Sequence, residues 1–269
     1  MSGPLSMRLI EKPWGCAVLP APFVAPAGQR IGEIWFEPPP ELPELLVKYI
    51  FTSEALSVQV HPSDAQTLAN GIGEQGKEEC WLIVDSEPGA KLGIGFRQNL
   101  DQEAMRRAAL DGSIENLMEW HTVSAGDFFY IPANTVHAIG AGISLIEVQQ
   151  NSDITYRLYD YGRPRELHLD EGMAIAKGEP YPQACKGKAP AGNSASLVSG
   201  PLFMLDQVAG APDSGTRDRY KGRLLVIPRE GPVHVAGMEI APGGCALADS
   251  IADVDFASSG LSLIAAPCE

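Results

Sequence analysis

Three observations predict a mainly β fold. Short strand-like runs bounded by proline- and glycine-rich turns recur along the whole chain. The run Leu56-Ser-Val-Gln-Val-His61 alternates apolar and polar residues with the period of two that buries one face of a strand. Helical windows are brief, at 64–69, 99–118 and 170–176, and two short helices inserted between strands set the fold apart from a plain sandwich. The expected organisation is a larger β-unit over 1–180 with a short helical insert near 99–118, a linker over 181–195, and a smaller β-unit over 196–269.

In order, 8–18 reads as extended chain in which Pro13 and Gly15 prevent a helix. Strands follow at 31–37, 45–51 and 56–61, the last stopped by Pro62, which cannot donate to a ladder. Ser63 is placed to cap a helix over 64–69. The stretch Gly71-Ile-Gly-Glu-Gln-Gly76-Lys77 fits neither a dinucleotide fingerprint nor a P-loop. It precedes a strand rather than a helix, and Glu78 stands where a Mg²⁺-binding hydroxyl is required. Strands are expected at 79–84 and 91–96. A helix capped by Asn99 or Asp101 and stopped by Gly112 follows, then a second from Ser113 to Met118. The chain returns to β over 120–159. Beyond the Pro/Gly-rich linker, six further strand-like runs (196–198, 203–208, 223–227, 233–240, 244–248 and 261–265) carry few paired carboxylates or imidazoles, which points to a β-unit without chemistry.

Composition narrows the function. With 45% apolar and 20% charged residues, the chain reads as a soluble globular protein. No apolar run reaches the 18 or so residues that a membrane helix needs, and no signal-peptide pattern is present, so the expected location is cytoplasmic with no membrane partner. A net charge of −14 argues against nucleic acid as a partner, yet permits an anionic small substrate held by a local cluster of Lys and Arg. Five widely spaced cysteines without a C-x-x-C pair resemble reduced thiols rather than a disulfide framework or a Cys-based metal site.

The chemistry-bearing residues gather in few places. Ser57, Gln59 and His61 share one strand face, alternate Cα atoms standing about 7 Å apart. Glu79 opens the next strand, with Lys77 two residues earlier on the same side. His137 follows a turn in Ile-Pro-Ala-Asn-Thr-Val-His. Imidazole nitrogen with carboxylate and amide oxygen make a four-member donor set suited to a zinc-class metal. Cys80 alternates away from it. His121, His168 and His234 have no partners by sequence and read as structural or exposed, Asp153 as a turn former, and Trp14, Trp35 and Trp81 as core more than sugar platform.

These residues carry a resemblance. Lys12-Pro-Trp-Gly15, Gly32-Glu-Ile-Trp35, Leu45-Leu-Val-Lys48, Leu56 to Pro62, Gly76-Lys-Glu-Glu-Cys-Trp81, Gly126 to His137 and Glu147 to Arg157 resemble, in family order over about the first 170 residues, the type I mannose-6-phosphate isomerases (phosphomannose isomerases) in their short bacterial form. The resemblance implies a cupin (jelly-roll) barrel followed by a smaller, degenerate cupin-like β-domain, to which the region after the linker is only loosely similar. It implies one Zn²⁺ held by Gln59, His61, Glu79 and His137, and interconversion of mannose 6-phosphate and fructose 6-phosphate through a cis-enediol. Arg157 matches the family's active-site arginine, and its permanent charge suits an enediolate. Lys77 is a second cation for substrate oxygens. Glu147 is a candidate base, with Lys77 or a zinc-bound water as alternatives and a plain ion-pair role equally open. Ser57 and Lys48 are candidates for binding the phosphorylated hexose. A monomer or homodimer is expected. Two competing functions share the ligand set: an Fe²⁺ oxygenase, disfavoured by Gln59 and by the Lys77/Arg157 pair, and a non-catalytic sugar-phosphate sensor.

Overall fold

A computed structural model describes residues 2–268. The first half of the chain forms strands β1 (Gly3–Pro4), β2 (Met7–Cys16), β3 (Ile31–Phe36), β4 (Leu45–Thr52) and β5 (Val58–Val60), helix α1 (Asp64–Ala69), then β6 (Glu79–Ser86) and β7 (Lys91–Phe96). Helices α2 (Gln102–Asp111) and α3 (Ile114–Leu117) lead to β8 (Met118–Thr122), β9 (Asp127–Ile131), β10 (His137–Ile139), β11 (Ile143–Gln150), β12 (Tyr156–Tyr159) and α4 (Leu169–Ile175). The remainder holds β13 (Lys186–Lys188), β14 (Ala195–Ser199), β15 (Phe203–Ala209), α5 (Ser214–Arg219), β16 (Leu224–Glu230), β17 (Val233–Val235), β18 (Met238–Ile240), β19 (Ala246–Ala248), β20 (Val254–Asp255) and β21 (Leu261–Pro267).

A seven-stranded sheet in the order β13-β9-β6-β11-β4-β3-β2 faces a five-stranded sheet in the order β12-β5-β10-β7-β8. Ile50, Trp81, Ile83 and Leu145 of the first pack against Leu92, Ile94 and Ile139 of the second, so one core fills the space between them. The outer face of the five-stranded sheet, with Val58, Val60 and Leu158, is covered by Met105, Ala108, Ile114 and Met173 of the helices. The outer face of the seven-stranded sheet carries Tyr49, Phe51, Cys80 and Ile146 onto Leu205, Leu225, Leu247 and Leu263 of a six-stranded sheet, β1-β19-β16-β21-β15-β14. That sheet packs in turn on a three-stranded one, β18-β17-β20.

The mainly β class is as expected, and most elements fall where the sequence puts them. Ser63 and Gln66 form a reciprocal capping box on α1, Asp101 caps α2, and Gly112 ends it at φ 81°. The opening strand is shorter than 56–61 but keeps its polarity in an unexpected sense. Val58 and Val60 point outward to the helices, while Gln59 faces the barrel interior. Leu56, ahead of the strand, joins the interior cluster.

Differences concentrate after residue 180. The stretch expected as a linker contains β13, which pairs with β9 and extends the seven-stranded sheet. The run 233–240 is a hairpin, not one strand: Ala236 and Gly237 both take positive φ (49° and 80°), the turn that joins two strands through two residues. Helix α5 was not expected; Asp213 caps it by accepting from the Thr216 N–H. At the other end, Gly3 and Pro4 pair with β19 of the six-stranded sheet.

Candidate active site

Register brings the expected residues together. In the five-stranded sheet Gln59 lies opposite His137 on one side and Arg157 on the other, so three polar side chains stand abreast. In the seven-stranded sheet Glu147 lies opposite Lys48 and Trp81, and Glu79 pairs with Gln149, two positions along from Glu147. Cross-strand neighbours share a face, which aims both rows into the interior.

His61, Glu79 and His137 converge, with donor atoms within 4.8 Å of one another, and all three are buried. Each imidazole faces a backbone carbonyl with Nδ1: His61 that of Ile154 at 2.9 Å, His137 that of Thr135 at 2.9 Å. Nδ1–H donation fixes the tautomer and leaves the Nε2 lone pairs pointing at the shared space. Burial holds both rings neutral, pushing His137 down to about 4 and His61 well below its ordinary value. His137 Nε2 stands 3.3 Å from Glu79 Oε1, and His61 Nε2 3.7 Å from Glu79 Oε2. Lys77 Nζ lies 2.6 Å from the latter oxygen and 3.2 Å from His61 Nε2.

Glu79 is fully buried, yet neither carboxylate oxygen accepts a well-directed hydrogen bond among the described residues. Burial pushes its carboxyl up to about 7, the Lys77 charge opposing and the Glu147 charge adding to the rise. A dehydrated, underserved carboxylate beside two neutral Nε2 lone pairs is a donor set that fits a divalent cation. Gln59 completes it on one side. Its amide nitrogen faces His137 Nε2 at 3.3 Å and its oxygen takes the Ser57 hydroxyl at 3.2 Å. The two ends of an amide are nearly isosteric, so a half-turn presents the oxygen instead.

The triad is held from behind. Asn134, at φ 71°, donates its N–H to the His61 carbonyl at 2.8 Å and its side-chain nitrogen to Gln66 Oε1 at 2.7 Å, tying the turn before His137 to the end of the opening strand. Asp64 Oδ1 accepts from the Gly76 N–H (2.7 Å) and from Gln150 Nε2 (2.8 Å), and Gln150 Oε1 accepts from the Glu78 N–H (3.0 Å). The segment bearing Lys77 and Glu79 is thereby pinned. Gly76 is pressed so close that a Cβ there would meet the Pro62 carbonyl at 2.3 Å. The glycines of 71–76 form the loop into β6, in keeping with rejection of a nucleotide motif.

Gln59 and Lys77 also line a cavity of about 300 Å³, and Ser57, Lys48, Glu147 and Arg157 line it too. Its wall carries five cations (Lys12, Lys48, Lys77, Arg157, Arg165) against three anions (Glu33, Asp153, Glu147), an excess of positive charge in a chain of net −14. Lys48 Nζ bonds Gln149 Oε1 at 2.6 Å and pairs with Glu147 Oε1 at 3.1 Å. Glu147 Oε2 accepts from Trp81 Nε1 at 2.9 Å. Although burial raises the Glu147 carboxyl, the Lys77 and Lys48 charges outweigh it and hold the group down at about 2. Burial pulls the Lys77 ammonium down, but Glu79 and Glu147 more than offset that, and its pKa ends raised.

Lys12, Glu33 and Arg165 of this wall carried no site reading in the sequence, and Trp35 was read as core more than sugar platform. Lys12 pairs with Glu33 at 2.9 Å, Trp35 Nε1 donates to Glu33 at 2.5 Å, and Lys48 sits over the Trp35 ring at 4.5 Å. Lys12 and Trp35 lie in the Lys-Pro-Trp-Gly and Gly-Glu-Ile-Trp stretches that carried the resemblance, the one signal that pointed to them. Trp81 is core, as expected, while Trp14 and Trp35 reach the cavity.

Comparison with solved structures gives the architecture a precedent. Over 98% of both chains the backbone follows a mannose 6-phosphate isomerase from Bacillus subtilis with a TM-score of 0.79 at 24% identity. The chain has the mannose-6-phosphate isomerase fold. The same arrangement is found in a putative mannosephosphate isomerase from Archaeoglobus fulgidus (TM-score 0.75, 19% identity, 99% of this chain and 97% of the other). It recurs in the phosphomannose isomerase of Salmonella typhimurium (TM-score 0.74, 14% identity, all of both chains). Among curated proteins, the chain is 41% identical over 145 residues to mannose-6-phosphate isomerase ManA of Bacillus subtilis, covering 52% of this chain and 46% of the relative. It is 41% identical over 137 residues to the mannose-6-phosphate isomerase of Streptococcus mutans, covering 49% and 43%. The chain thus spans about half the length of the curated relatives it matches. No protein-family model matches it.

Proposed function

We propose that the chain is a zinc-dependent aldose–ketose isomerase that interconverts mannose 6-phosphate and fructose 6-phosphate by proton transfer between C1 and C2 through a cis-enediol. One observation carries the reading. Two neutral imidazoles and an underserved buried carboxylate meet beside a cation-lined cavity, sized for one sugar phosphate at the small end of the range for ligand pockets. The relatives bearing that enzyme's name support it.

Gln59, His61, Glu79 and His137 would hold one Zn²⁺, which when bound supplies a Lewis acid for substrate oxygens. Lys77, kept charged by Glu79 and Glu147, offers N–H donors to the sugar's C1 and C2 oxygens. Arg157, abreast of Gln59, offers a fixed positive charge to the enediolate. Glu147 is the candidate base. It stays ionised, and it gains a proton only as Lys48 and Trp81 release it, which makes its role separable by substitution. Ser57 and Lys48 bind and orient the sugar from opposite sheets. In this reading 1–180 is the catalytic unit and the chain beyond 195 is a supporting one. The enzyme works in the cytoplasm as a monomer or homodimer, with no membrane partner; among the described residues, no helix is long and apolar enough to cross a membrane.

The test is a coupled assay for fructose 6-phosphate formed from mannose 6-phosphate, with metal analysis, before and after chelation. Turnover that disappears with chelator and returns with zinc is expected. Zinc-loaded protein at micromolar concentration that turns over no substrate would sink the isomerase reading. Iron as the resident metal would revive the oxygenase.

A further inference from the structure

We infer that a second ligand site lies between the seven- and six-stranded sheets, and that it takes a small aromatic monocarboxylate, the ring against Phe23, Tyr49 and Phe51 and the carboxylate on Arg229. It shares no lining residue with the cavity beside His61, Glu79 and His137, and it is independent of the isomerase reading.

A cavity of about 280 Å³ opens where the outer face of β4 meets the six-stranded sheet. Tyr49 and Phe51 alternate with Lys48 and Ile50 along β4, so they point away from the candidate active site. Their rings lie nearly parallel, at 7° with centroids 6.3 Å apart, and the Phe23 ring closes on both, at 4.8 and 5.5 Å. Gly243 lets the Phe23 loop seat there: a Cβ at that glycine would meet Pro22 Cγ at 2.5 Å. Two β-bulges border the cavity. Pro228 pairs with Ser262 and Glu230 with Leu261, which leaves Arg229 as the extra residue of β16. Ile83 pairs with Leu145 and Asp85 with Ser144, which leaves Val84 as the extra residue of β6. A bulge re-aims a side chain out of the pleat, and Arg229 and Val84 both line the cavity.

The polar groups here are held in place and left with donors to spare. Buried Gln207 donates Nε2 to the Pro190 and Asn193 carbonyls at 2.8 and 2.7 Å, which fixes its amide with Oε1 toward Arg229 Nη1 at 2.7 Å. Arg229 is thus anchored by a neutral group. Its Nε and Nη2, the two donors of one guanidinium edge, have no partner among the described residues, and it pairs with no carboxylate among them. Tyr49 is only 6% exposed, and its hydroxyl has no hydrogen-bond partner among the described residues either. Burial pushes the pKa of that hydroxyl up, so it remains a donor. A free guanidinium edge and a hydroxyl donor beside aromatic rings fit a carboxylate carried on a flat apolar body. Exposed Asp85 and Glu230 also line the cavity, and their charges weigh against a phosphate dianion. A volume just under the usual range of roughly 300–1,000 Å³ limits the occupant to a small molecule.

The experiment titrates full-length protein with benzoate, followed by broadening of the ligand's proton resonances. Saturable binding is expected, with a Kd of about 1 mM or tighter. Benzamide, of the same shape without the charge, should bind roughly tenfold more weakly. Arg229→Gln should weaken benzoate by roughly tenfold to a hundredfold, the size of losing a charge-assisted bidentate contact, and Arg229→Lys should recover part of it. Tyr49→Phe should weaken it by a few-fold. Inorganic phosphate at equal concentration should not displace it. The site is overturned by no saturable binding up to about 10 mM, by benzamide binding as tightly as benzoate, or by displacement with phosphate, which would put benzoate in the cation-lined cavity instead. Parent-like affinity in Arg229→Gln overturns it as well. Should that variant lack the parent's circular dichroism, Arg229→Lys and Tyr49→Phe decide, and parent-like affinity in both removes the site. Turnover is not read, so this site and the isomerase reading stand or fall separately.

Discussion

The chain contains two paired-sheet assemblies of similar make, and the candidate site lies in only one. Between the seven- and five-stranded sheets, apolar side chains share the interior with His61, Glu79, His137, Lys48 and Glu147. Between the six- and three-stranded sheets the interior is closed by Val226, Leu224, Val233, Val235, Ile240 and Ile264. Antiparallel pairing with occasional register shifts is common to both. The difference lies in which residue types occupy the inward positions and in what pins the strand ends. Behind the first interior stand Asn134, hydrogen-bonded to the backbone of His61, and Asp64 and Gln150, hydrogen-bonded to the backbone of Gly76 and Glu78 on either side of Lys77. A buried polar site persists where neighbouring groups satisfy it; an apolar interior needs only shape.

Substitutions can test that contrast. The largest expected effect is at His137. In His137→Ala, zinc content after dialysis falls well below one per chain and turnover disappears; full zinc occupancy in that variant would remove His137 from the ligand set. Arg157→Ala should keep its zinc while kcat falls roughly a hundredfold to a thousandfold, the scale of losing a charge aimed at a developing oxyanion. Loss of metal there would mean that Arg157 belongs to the metal site. In the other interior, Leu224→Ala should cost about 2–5 kcal/mol in a denaturant titration and leave zinc affinity and KM as they were. A change in zinc affinity would show that the two interiors are coupled. Asp64→Ala should weaken zinc binding by about tenfold to a hundredfold, because it frees the Gly76 N–H and Gln150 that pin the Lys77–Glu79 segment. Glu147→Gln is the most diagnostic of the smaller changes. A base loses kcat at nearly constant KM, whereas a residue that serves only to hold Lys48 raises KM as the lysine moves.

The alternation in 56–61 was enough to put Ser57, Gln59 and His61 on one face, because a strand's period leaves little choice. Glu79 and Lys77 followed from the same rule, and the structure keeps them 2.6 Å apart. What the pattern could not provide was which face looks inward. Val58 and Val60 pack outward because α2, α3 and α4 cover that side, and helices distant in sequence decide it. Lys12, Glu33 and Trp35 were invisible as a group for a related reason: β2, β3 and β4 bring them to the cavity by pairing that local sequence does not encode. Arg165 lies on a loop, where periodicity says nothing. The 181–195 segment misled because Pro and Gly signal irregular chain, and β13 has only three residues, recruited by an open edge of β9.

That short strand has a consequence for how the chain can be divided. Gly3–Pro4 is lent to the C-terminal sheet, and Lys186–Lys188 is lent back to the sheet that carries Glu79. The two assemblies are clasped rather than strung. A truncation at residue 180 would not release a finished catalytic half. It would strip the edge from β9, next to β6, and expose a row of unpaired backbone N–H and C=O groups to any strand that came near. Such a fragment would stick to itself before it could be assayed. A cut placed after Lys188, keeping the borrowed strand, is the better place to divide the chain.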